Sequence, residues 1–169
     1  MKVIGIAGWS GAGKTTLVIR LLPALIERGL SVSTIKHAHH AFDVDKRGKD
    51  SYRHRDAGAH EVLISSRHRW ALMHEQRDGS EAALSELLDR LTPVDLVLVE
   101  GFKDYPHDKV EVYRESLGKP LLAGHDPNVV AVASDVRPPG LSVPVLGLDD
   151  VDAIAQFIMR HQQLTSRVA

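Results

Sequence analysis

The chain has 169 residues, contains no cysteine and carries a formal net charge of −1. This length suits one domain with a buried core, and we expect a single domain over residues 1–169. The lack of cysteine excludes disulfides, cysteine-ligated zinc and thiol nucleophiles, and the near-neutral charge gives no reason to expect nucleic acid or a membrane surface as a partner. No apolar run approaches about 18 residues and the first strand starts at once, so we expect a cytoplasmic protein without a membrane span or signal peptide.

The first predicted strand, residues 2–7, leads into a glycine-rich loop and then an amphipathic helix over residues 15–28. That order is typical of a phosphate-binding P-loop. Glycines let backbone N–H groups converge on one anion, and the helix points the positive end of its dipole at the same place. Lys14 is expected to reach the β- and γ-phosphates, and Thr15 to bind Mg²⁺. The predicted nucleotide-binding residues are Trp9, Ser10, Gly11, Ala12, Gly13, Lys14, Thr15 and Thr16. Trp9 can pack over the ligand or cover the core.

A long polar stretch follows the second predicted strand, residues 30–36. Long loops in compact domains are usually functional or mobile. Asp43, Asp45 and Asp50 are candidates to complete magnesium coordination, with Asp43 placed first. His37, Lys49 and Arg53 are candidates to hold a second anionic ligand. The same stretch contains His37, His39 and His40, which are of the ligand type that zinc and nickel accept, although histidines beside a phosphate site also donate to anions.

The rest of the chain alternates strands with helices, which predicts an α/β fold. We expect a P-loop NTPase fold with three layers, in which helices cover both faces of a largely parallel sheet. Residues 59–65 and 69–75 are spaced as a hairpin, so the sheet is expected to be mixed. The other predicted helices are 52–57, 81–91 and 151–164, and the other predicted strands are 94–99, 109–114, 129–134 and 143–148.

Two acidic residues follow apolar strands. Glu100 ends the most hydrophobic strand in the middle of the chain, where P-loop proteins place an acid near Mg²⁺. We predict that Glu100 binds Mg²⁺ with Thr15 and is catalytic together with Lys14. Asp135 follows the strand at residues 129–134. Its carboxylate can accept from guanine N1–H and the exocyclic amine, so it is a candidate for guanine recognition, although the Asn-Lys-x-Asp motif of many GTPases is absent.

Several longer strings resemble one known family, the molybdopterin-guanine dinucleotide biosynthesis protein B (MobB) family. They are Gly8-x-x-Gly11-x-Gly13-Lys14-Thr15-Thr16, Lys36-His37-x-His39-His40, Asp43-Val44-Asp45-Lys46-x-Gly48-Lys49-Asp50-Ser51, Ala57-Gly58-Ala59, Arg69-Trp70-Ala71-Leu72-Met73, Val99-Glu100-Gly101-Phe102-Lys103 and Ala131-Val132-Ala133-Ser134-Asp135-Val136. The resemblance implies a homodimer that binds GTP and Mg²⁺ and is a weak GTPase. It also implies an accessory role beside molybdopterin guanylyltransferase, the nucleotidyltransferase that attaches GMP to molybdopterin to form molybdopterin guanine dinucleotide. The basic loop is a candidate to receive the phosphate of molybdopterin.

Other functions stay open at this point. A nickel metallochaperone GTPase would use the cluster His37–His40 and would bind nickel or zinc stoichiometrically. A small-molecule kinase would need an arginine-rich lid, and no such insertion follows Pro120. An adaptor that only binds nucleotide is also compatible, because no glutamine follows Glu100 closely enough to suggest a residue that orients the attacking water.

Overall fold

The computed structural model describes residues 1–38, 42–77 and 79–167. Residue contacts divide the chain into two compact units. The sheet unit comprises Met1–His37 and Leu84–Ala169, and the hairpin unit comprises Ala38–Ala83. The expectation of one domain over residues 1–169 stays a prediction.

The elements follow the predicted order. In the sheet unit they are β1 (Lys2–Ala7), α1 (Lys14–Ile26), β2 (Val32–Lys36), α3 (Leu84–Asp89), β5 (Leu96–Glu100), β6 (Lys109–Tyr113), a 3₁₀ turn (Glu115–Leu117), β7 (Val129–Ser134), β8 (Val145–Gly147) and α4 (Val151–His161). In the hairpin unit they are α2 (Asp50–Asp56), β3 (Glu61–Ser65) and β4 (Trp70–His74). None of the helices in these described ranges is long and apolar enough to cross a membrane.

The sheet unit is built on six strands in the order β2-β5-β1-β6-β7-β8, and every neighbouring pair is parallel. Side chains alternate between the two faces of such a sheet. Ile4, Ile6 and Leu98 pack in one apolar core with α1 and α4. Val97 and Val99 pack in a second core with α3. The predicted three-layer α/β fold is therefore confirmed, with helices on both faces.

The hairpin unit has a separate two-stranded sheet in which β3 and β4 are antiparallel. Leu63 is the register partner of Leu72, and Ser65 is the partner of Trp70. The predicted hairpin is present, but its strands pair with each other and do not extend the main sheet. The antiparallel pair therefore accompanies the parallel sheet without making that sheet mixed.

The helices α3 and α4 are shorter than predicted. The helix expected over residues 81–91 is confined to α3, six residues long, and α4 ends at His161, three residues early. The start of α4 agrees with the prediction, because the Asp150 carboxylate accepts a 2.9 Å hydrogen bond from the Ala153 N–H and caps the helix. The α1 helix starts at Lys14, directly after the loop.

Candidate nucleotide-binding site

The loop between β1 and α1 has the backbone geometry of an anion-binding turn. Gly8, Gly11 and Gly13 have φ angles of 139°, 81° and 102°, which residues with a side chain rarely adopt. A Cβ added at Gly8 would lie 2.4 Å from the Val112 carbonyl oxygen, so β6 packs too closely for any side chain there. Positive φ angles directly before a helix are the backbone geometry that a P-loop requires, and anion binding at this loop stays a prediction.

Lys14 lies over this loop. Its ammonium donates to the carbonyl oxygens of Gly8 at 2.9 Å and Trp9 at 3.0 Å. Burial lowers the pKa of Lys14; the charge of Glu100 opposes this shift, while the positive charges of Lys36 and Lys103 add to it. Several cations thus share this end of the sheet, and a bound anion would relieve their mutual repulsion.

Glu100 is brought to the P-loop by the order of the strands. It is the last residue of β5, and the register pairs it with Ile6 of β1 on one side and Lys36 of β2 on the other. The Thr15 hydroxyl donates to the Glu100 carboxylate at 2.5 Å. The Lys36 ammonium lies 3.3 Å from the same carboxylate oxygen and 3.5 Å from the Thr15 hydroxyl.

The hydroxyl of Thr15 and the carboxylate of Glu100 are oxygen ligands of the kind that Mg²⁺ prefers. Because these two oxygens are already adjacent at the end of the P-loop, they fit a metal ion that also contacts phosphates. Lys36 was not among the predicted site residues. Lys36 ends the strand that lies next to β5, and this position could have indicated its role. The strand order had to be known before that position could be recognised.

Asp135 follows β7, two strands away from β1. Its carboxylate lies 3.6 Å from an Arg114 guanidinium nitrogen and accepts from the Glu115 N–H at 3.3 Å. The Arg114 Nε donates to the Ala12 carbonyl oxygen at 3.1 Å. Arg114 therefore connects the P-loop to the predicted guanine-reading residue. Sequence reasoning missed it, although it directly follows β6, the strand adjoining β1.

Trp9 lies at the rim of the P-loop. Its indole Nε1–H donates to the Pro120 carbonyl oxygen at 2.8 Å. The ammonium nitrogens of Lys103 and Lys119 lie 4.7 Å and 5.8 Å from the centroid of its ring system. Ser10 and Thr16, also predicted to bind nucleotide, are exposed. Lys103 and Lys119 were not predicted as site residues.

The three residues predicted for a second anionic ligand, and Asp43, which was predicted for magnesium, fall in both units. In the sheet unit, the His37 ring packs on Phe102 with centroids 4.6 Å apart. In the hairpin unit, Asp43 pairs with Arg55 at 2.8 Å, Lys49 precedes α2, and Arg53 is exposed and 3.9 Å from Asp50. The roles of all four predicted residues stay predictions.

His39 and His40 of the predicted histidine cluster lie outside the described residues. Among residues 1–38, 42–77 and 79–167, no group of three histidine or acidic side chains is arranged to hold a metal ion.

Comparison with known families agrees with this arrangement. The family model of MobB, molybdopterin guanine dinucleotide synthesis protein B, matches residues 3–135. The chain belongs to the MobB family. The resemblance stated from the sequence motifs is thereby confirmed, and the MobB match includes both the P-loop and Asp135.

Two curated MobB relatives are similar along nearly their whole length. The molybdopterin-guanine dinucleotide biosynthesis adapter protein of Escherichia coli K12 is 45% identical over 166 residues, which cover 96% of this chain and 94% of the relative. The protein of the same name from Haemophilus influenzae is 44% identical over 159 residues, 94% of this chain and 88% of the relative.

Solved MobB structures share the fold. The crystal structure of molybdopterin-guanine biosynthesis protein B has a TM-score of 0.76 and 31% identity, and the match covers 95% of this chain and 99% of that one. A MobB homologue from Bacillus stearothermophilus has a TM-score of 0.72 and 26% identity over 96% of this chain and 99% of that one.

Proposed function

We propose that this MobB-family chain is a nucleotide-binding adapter in the biosynthesis of molybdopterin guanine dinucleotide, and that it binds GTP with Mg²⁺. The observation that carries the proposal is the contact of Thr15 with Glu100 directly beside Lys14 on the P-loop. The names of two relatives that are 45% and 44% identical support the adapter role. Family membership gives no support to the alternatives of a nickel chaperone or a small-molecule kinase.

The proposed nucleotide site divides the work among a few groups. The backbone N–H groups of the loop bind the phosphates, and Lys14 leaves the carbonyls of Gly8 and Trp9 to reach the β- and γ-phosphates. Thr15 and Glu100 would hold Mg²⁺, which supplies positive charge to the phosphate oxygens when it is bound. Lys36 places a further positive charge 3.3 Å from the Glu100 carboxylate.

GTP hydrolysis by this site is expected to be slow. Lys14 can stabilise negative charge on the phosphates, and Glu100 is placed where its carboxylate would bind Mg²⁺. Fast hydrolysis also needs a residue that orients the attacking water, commonly a glutamine. No glutamine occurs between residues 101 and 155. Binding of the nucleotide, with weak hydrolysis, therefore suits an adapter better than turnover does.

Guanine selectivity is assigned to Asp135. A carboxylate accepts from both guanine N1–H and the exocyclic amine, and adenine does not present that pair of donors. The Asp135 side chain is about one-third exposed, and its second oxygen faces Arg114. This geometry supports a carboxylate that is oriented by Arg114 and Glu115 and still accessible to a base.

The decisive experiment is calorimetric titration of GTP and of ATP in the presence of Mg²⁺. We expect the wild type to prefer GTP, and Asp135→Asn to lose about tenfold or more of that preference, because a hydrogen bond to a charged acceptor is replaced by one to an amide. Asp149→Asn is the matched control, since Asp149 is an exposed partner of Arg20. Equal binding of ATP and GTP by the wild type would contradict the proposal.

An adapter needs partners, and we assign molybdopterin guanylyltransferase and a second copy of this chain, in the cytoplasm. Exposed apolar side chains of the hairpin unit, including Leu63, Trp70 and Leu72, support self-association. Sedimentation of wild type and Leu72→Glu tests it, with a dimer expected only for the wild type.

Molybdopterin is proposed as a further ligand, with Lys49 and Arg53 of the hairpin unit receiving its phosphate; His37, in the sheet unit, stays a candidate residue for an anionic ligand. Charge reversal at Lys49 and Arg53 should then weaken capture of molybdopterin in a pull-down. Unchanged capture would remove these residues from the proposal and leave the GTP assignment intact.

A further inference from the structure

Two positively charged side chains converge on the indole ring of Trp9, at the edge of the P-loop. Lys103 belongs to the segment after β5, and Lys119 to the segment after the 3₁₀ turn. Their ammonium nitrogens lie 4.7 Å and 5.8 Å from the ring centroid, within the range of cation–π attraction. The indole N–H is directed to the Pro120 carbonyl, so the ring is held in place from the same segment that carries Lys119.

Neither Lys103 nor Lys119 is paired with a carboxylate in the part of the chain that the structure describes. The charge of Lys103 also acts on Lys14, whose pKa it helps to lower. A cluster of like charges without carboxylate partners is attractive to an anion, because the anion removes the repulsion within the cluster.

Buried charges on β6 fix the two segments that carry the lysines. Lys109 is completely buried, and its ammonium donates to the carbonyl oxygens of Lys103 at 2.7 Å and Tyr105 at 2.8 Å and pairs with Asp126 at 2.8 Å. It therefore holds the first segment through Lys103 itself.

Glu111, also completely buried, acts on the second segment. Its carboxylate accepts from the N–H groups of Leu122 at 2.8 Å and Ala123 at 2.9 Å. These residues lie just after Lys119 and Pro120. Both segments are thus attached to the same strand, by residues two positions apart.

This construction is costly for a role in stability alone. Charges removed from water carry a large desolvation penalty, and well-packed apolar residues are often at least as stabilising. Burial indeed raises the pKa of Glu111, although the two backbone N–H groups oppose the shift. What the two buried charges achieve, in place of extra stability, is a defined position for the loops on either side of Trp9.

We propose that Lys103 and Lys119, arranged around Trp9, form a second anion-binding site that takes the phosphate monoester of a ligand other than the P-loop nucleotide. Ammonium groups on flexible stems suit a doubly charged phosphate, which they bind as point charges. Charge-assisted hydrogen bonds to phosphate are stronger than an exposed cation–π contact, so the lysines leave the ring when the ligand binds. The inference goes beyond the proposed GTP site and does not depend on it.

Trp9 provides the measurement, because the chain has only two tryptophans. In Trp70→Phe, fluorescence reports on Trp9 alone. The protein is saturated with GDP and Mg²⁺ and titrated with glycerol 3-phosphate at constant ionic strength. We expect a saturable change in fluorescence, and about tenfold weaker binding in Lys103→Gln and in Lys119→Gln, the loss expected for one charge-assisted contact. Lys2→Gln, an exposed lysine at the opposite end of β1, is the matched control and should bind as the parent does.

Two results would overturn the inference. Competition between glycerol 3-phosphate and GDP would assign Lys103 and Lys119 to the nucleotide site, and equal binding by the parent and both lysine variants would remove them from anion binding. If GDP does not bind at all, the proposed GTP site fails. The titration of the nucleotide-free protein and its lysine variants then still decides whether the second site exists.

Discussion

Different interactions stabilise the sheet unit and the hairpin unit internally. All five residues of β5 in the sheet unit are buried, and apolar cores lie on both faces of the sheet. In β3 of the hairpin unit only Val62 is buried. Leu63 and Trp70, which register places on one face, are 60% and 65% exposed. Apolar burial therefore accounts for the order of the sheet unit and for little of the order of the hairpin unit.

Ion pairs, more than apolar burial, stabilise the hairpin unit. The guanidinium of Arg55 lies 2.8 Å from Asp43, 2.8 Å from Asp45 and 2.7 Å from Glu75, and it also lies 5.2 Å from the Tyr52 ring centroid. These contacts tie the polar stretch, α2 and the end of the hairpin to one side chain. Because a two-stranded sheet alone is marginally stable in water, this cluster is what distinguishes an ordered unit from a loose hairpin.

The largest difference should appear when one leucine is shortened in each unit. Leu98→Ala removes a side chain that is 1% exposed in the core of the sheet unit, and we expect a loss of about 2–5 kcal/mol in the free energy of unfolding. Leu63→Ala, the matched variant in the hairpin unit, should change it by less than about 0.5 kcal/mol when unfolding is measured at a protein concentration low enough for the monomer. Urea unfolding measures both, and equal losses would refute the contrast between the units.

The next effect concerns ligand binding. Lys14→Gln removes the ammonium that we assign to the nucleotide phosphates, and it should weaken GTP binding by roughly 10- to 150-fold, the equivalent of one hydrogen bond to a charged group. Lys46→Gln, which removes the same charge from an exposed position in the hairpin unit, should bind GTP normally. Calorimetry of the two variants tests whether nucleotide affinity resides in the sheet unit.

A local effect is expected in the hairpin unit when its central cation is removed. Arg55→Gln leaves three carboxylates without their shared partner, so amide protection should fall in residues 42–77 while β1 and β5 stay protected. Hydrogen exchange followed by mass spectrometry measures this, with Arg47→Gln as a control at an exposed site. Loss of protection throughout the chain would mean that the two units unfold together.

The smallest effect is a dependence on pH in the sheet unit. Burial lowers the pKa of His107, and the positive charge of Lys109 adds to this. The folded protein thus keeps His107 neutral at a pH where the unfolded chain, with an ordinary pKa of 6.5, takes up a proton. Stability should therefore decline as pH falls through about 6.5, and stop declining from this source below the lower folded pKa.

The comparison of wild type with His107→Gln isolates this contribution. Chemical unfolding at a series of pH values from 7.5 to 5.5 should show that the free energy of unfolding declines less steeply with falling pH in the variant. The difference in slope should be smaller than that produced by the uptake of one full proton on unfolding. His68→Gln, in the exposed turn of the hairpin, should leave the slope unchanged. An identical slope for wild type and His107→Gln would show that this histidine titrates alike in the folded and unfolded chains.

Local sequence patterns predicted what lies within one stretch of chain. The P-loop is contiguous, and Glu100 ends an apolar strand, so both could be predicted without knowing the strand order. Lys36 and Arg114 reach the site only because β2 and β6 lie where they do, and a pattern within one strand contains no such information. The hairpin was predicted, but its separation from the main sheet was not. Local sequence signals show that two strands pair with each other, and they do not show whether the pair also joins the edge of a larger sheet.

The alternation of charged and apolar residues in β6 does not reveal that the charged residues are buried. Lys109 and Glu111 alternate with valines, which is typical of a strand with one face in water. Both are nevertheless 0% exposed, because the segments after β5 and after the 3₁₀ turn cover that face and supply hydrogen-bonding partners. The signal that these residues anchor loops lies in the tertiary structure and not in the period of the strand.

The position of β1 in the sheet sets an order of assembly during synthesis. β1 is made before both of its neighbours, β5 and β6, and the first of these begins at Leu96. At about 5–20 residues per second, ribosomes need several seconds or more to make the intervening chain. The hairpin unit, whose contacts are local, is complete before then. The nascent protein therefore carries an unpaired apolar β1, with its glycine loop unsupported, until the middle of the chain emerges, and this interval is when chaperones have most reason to bind it.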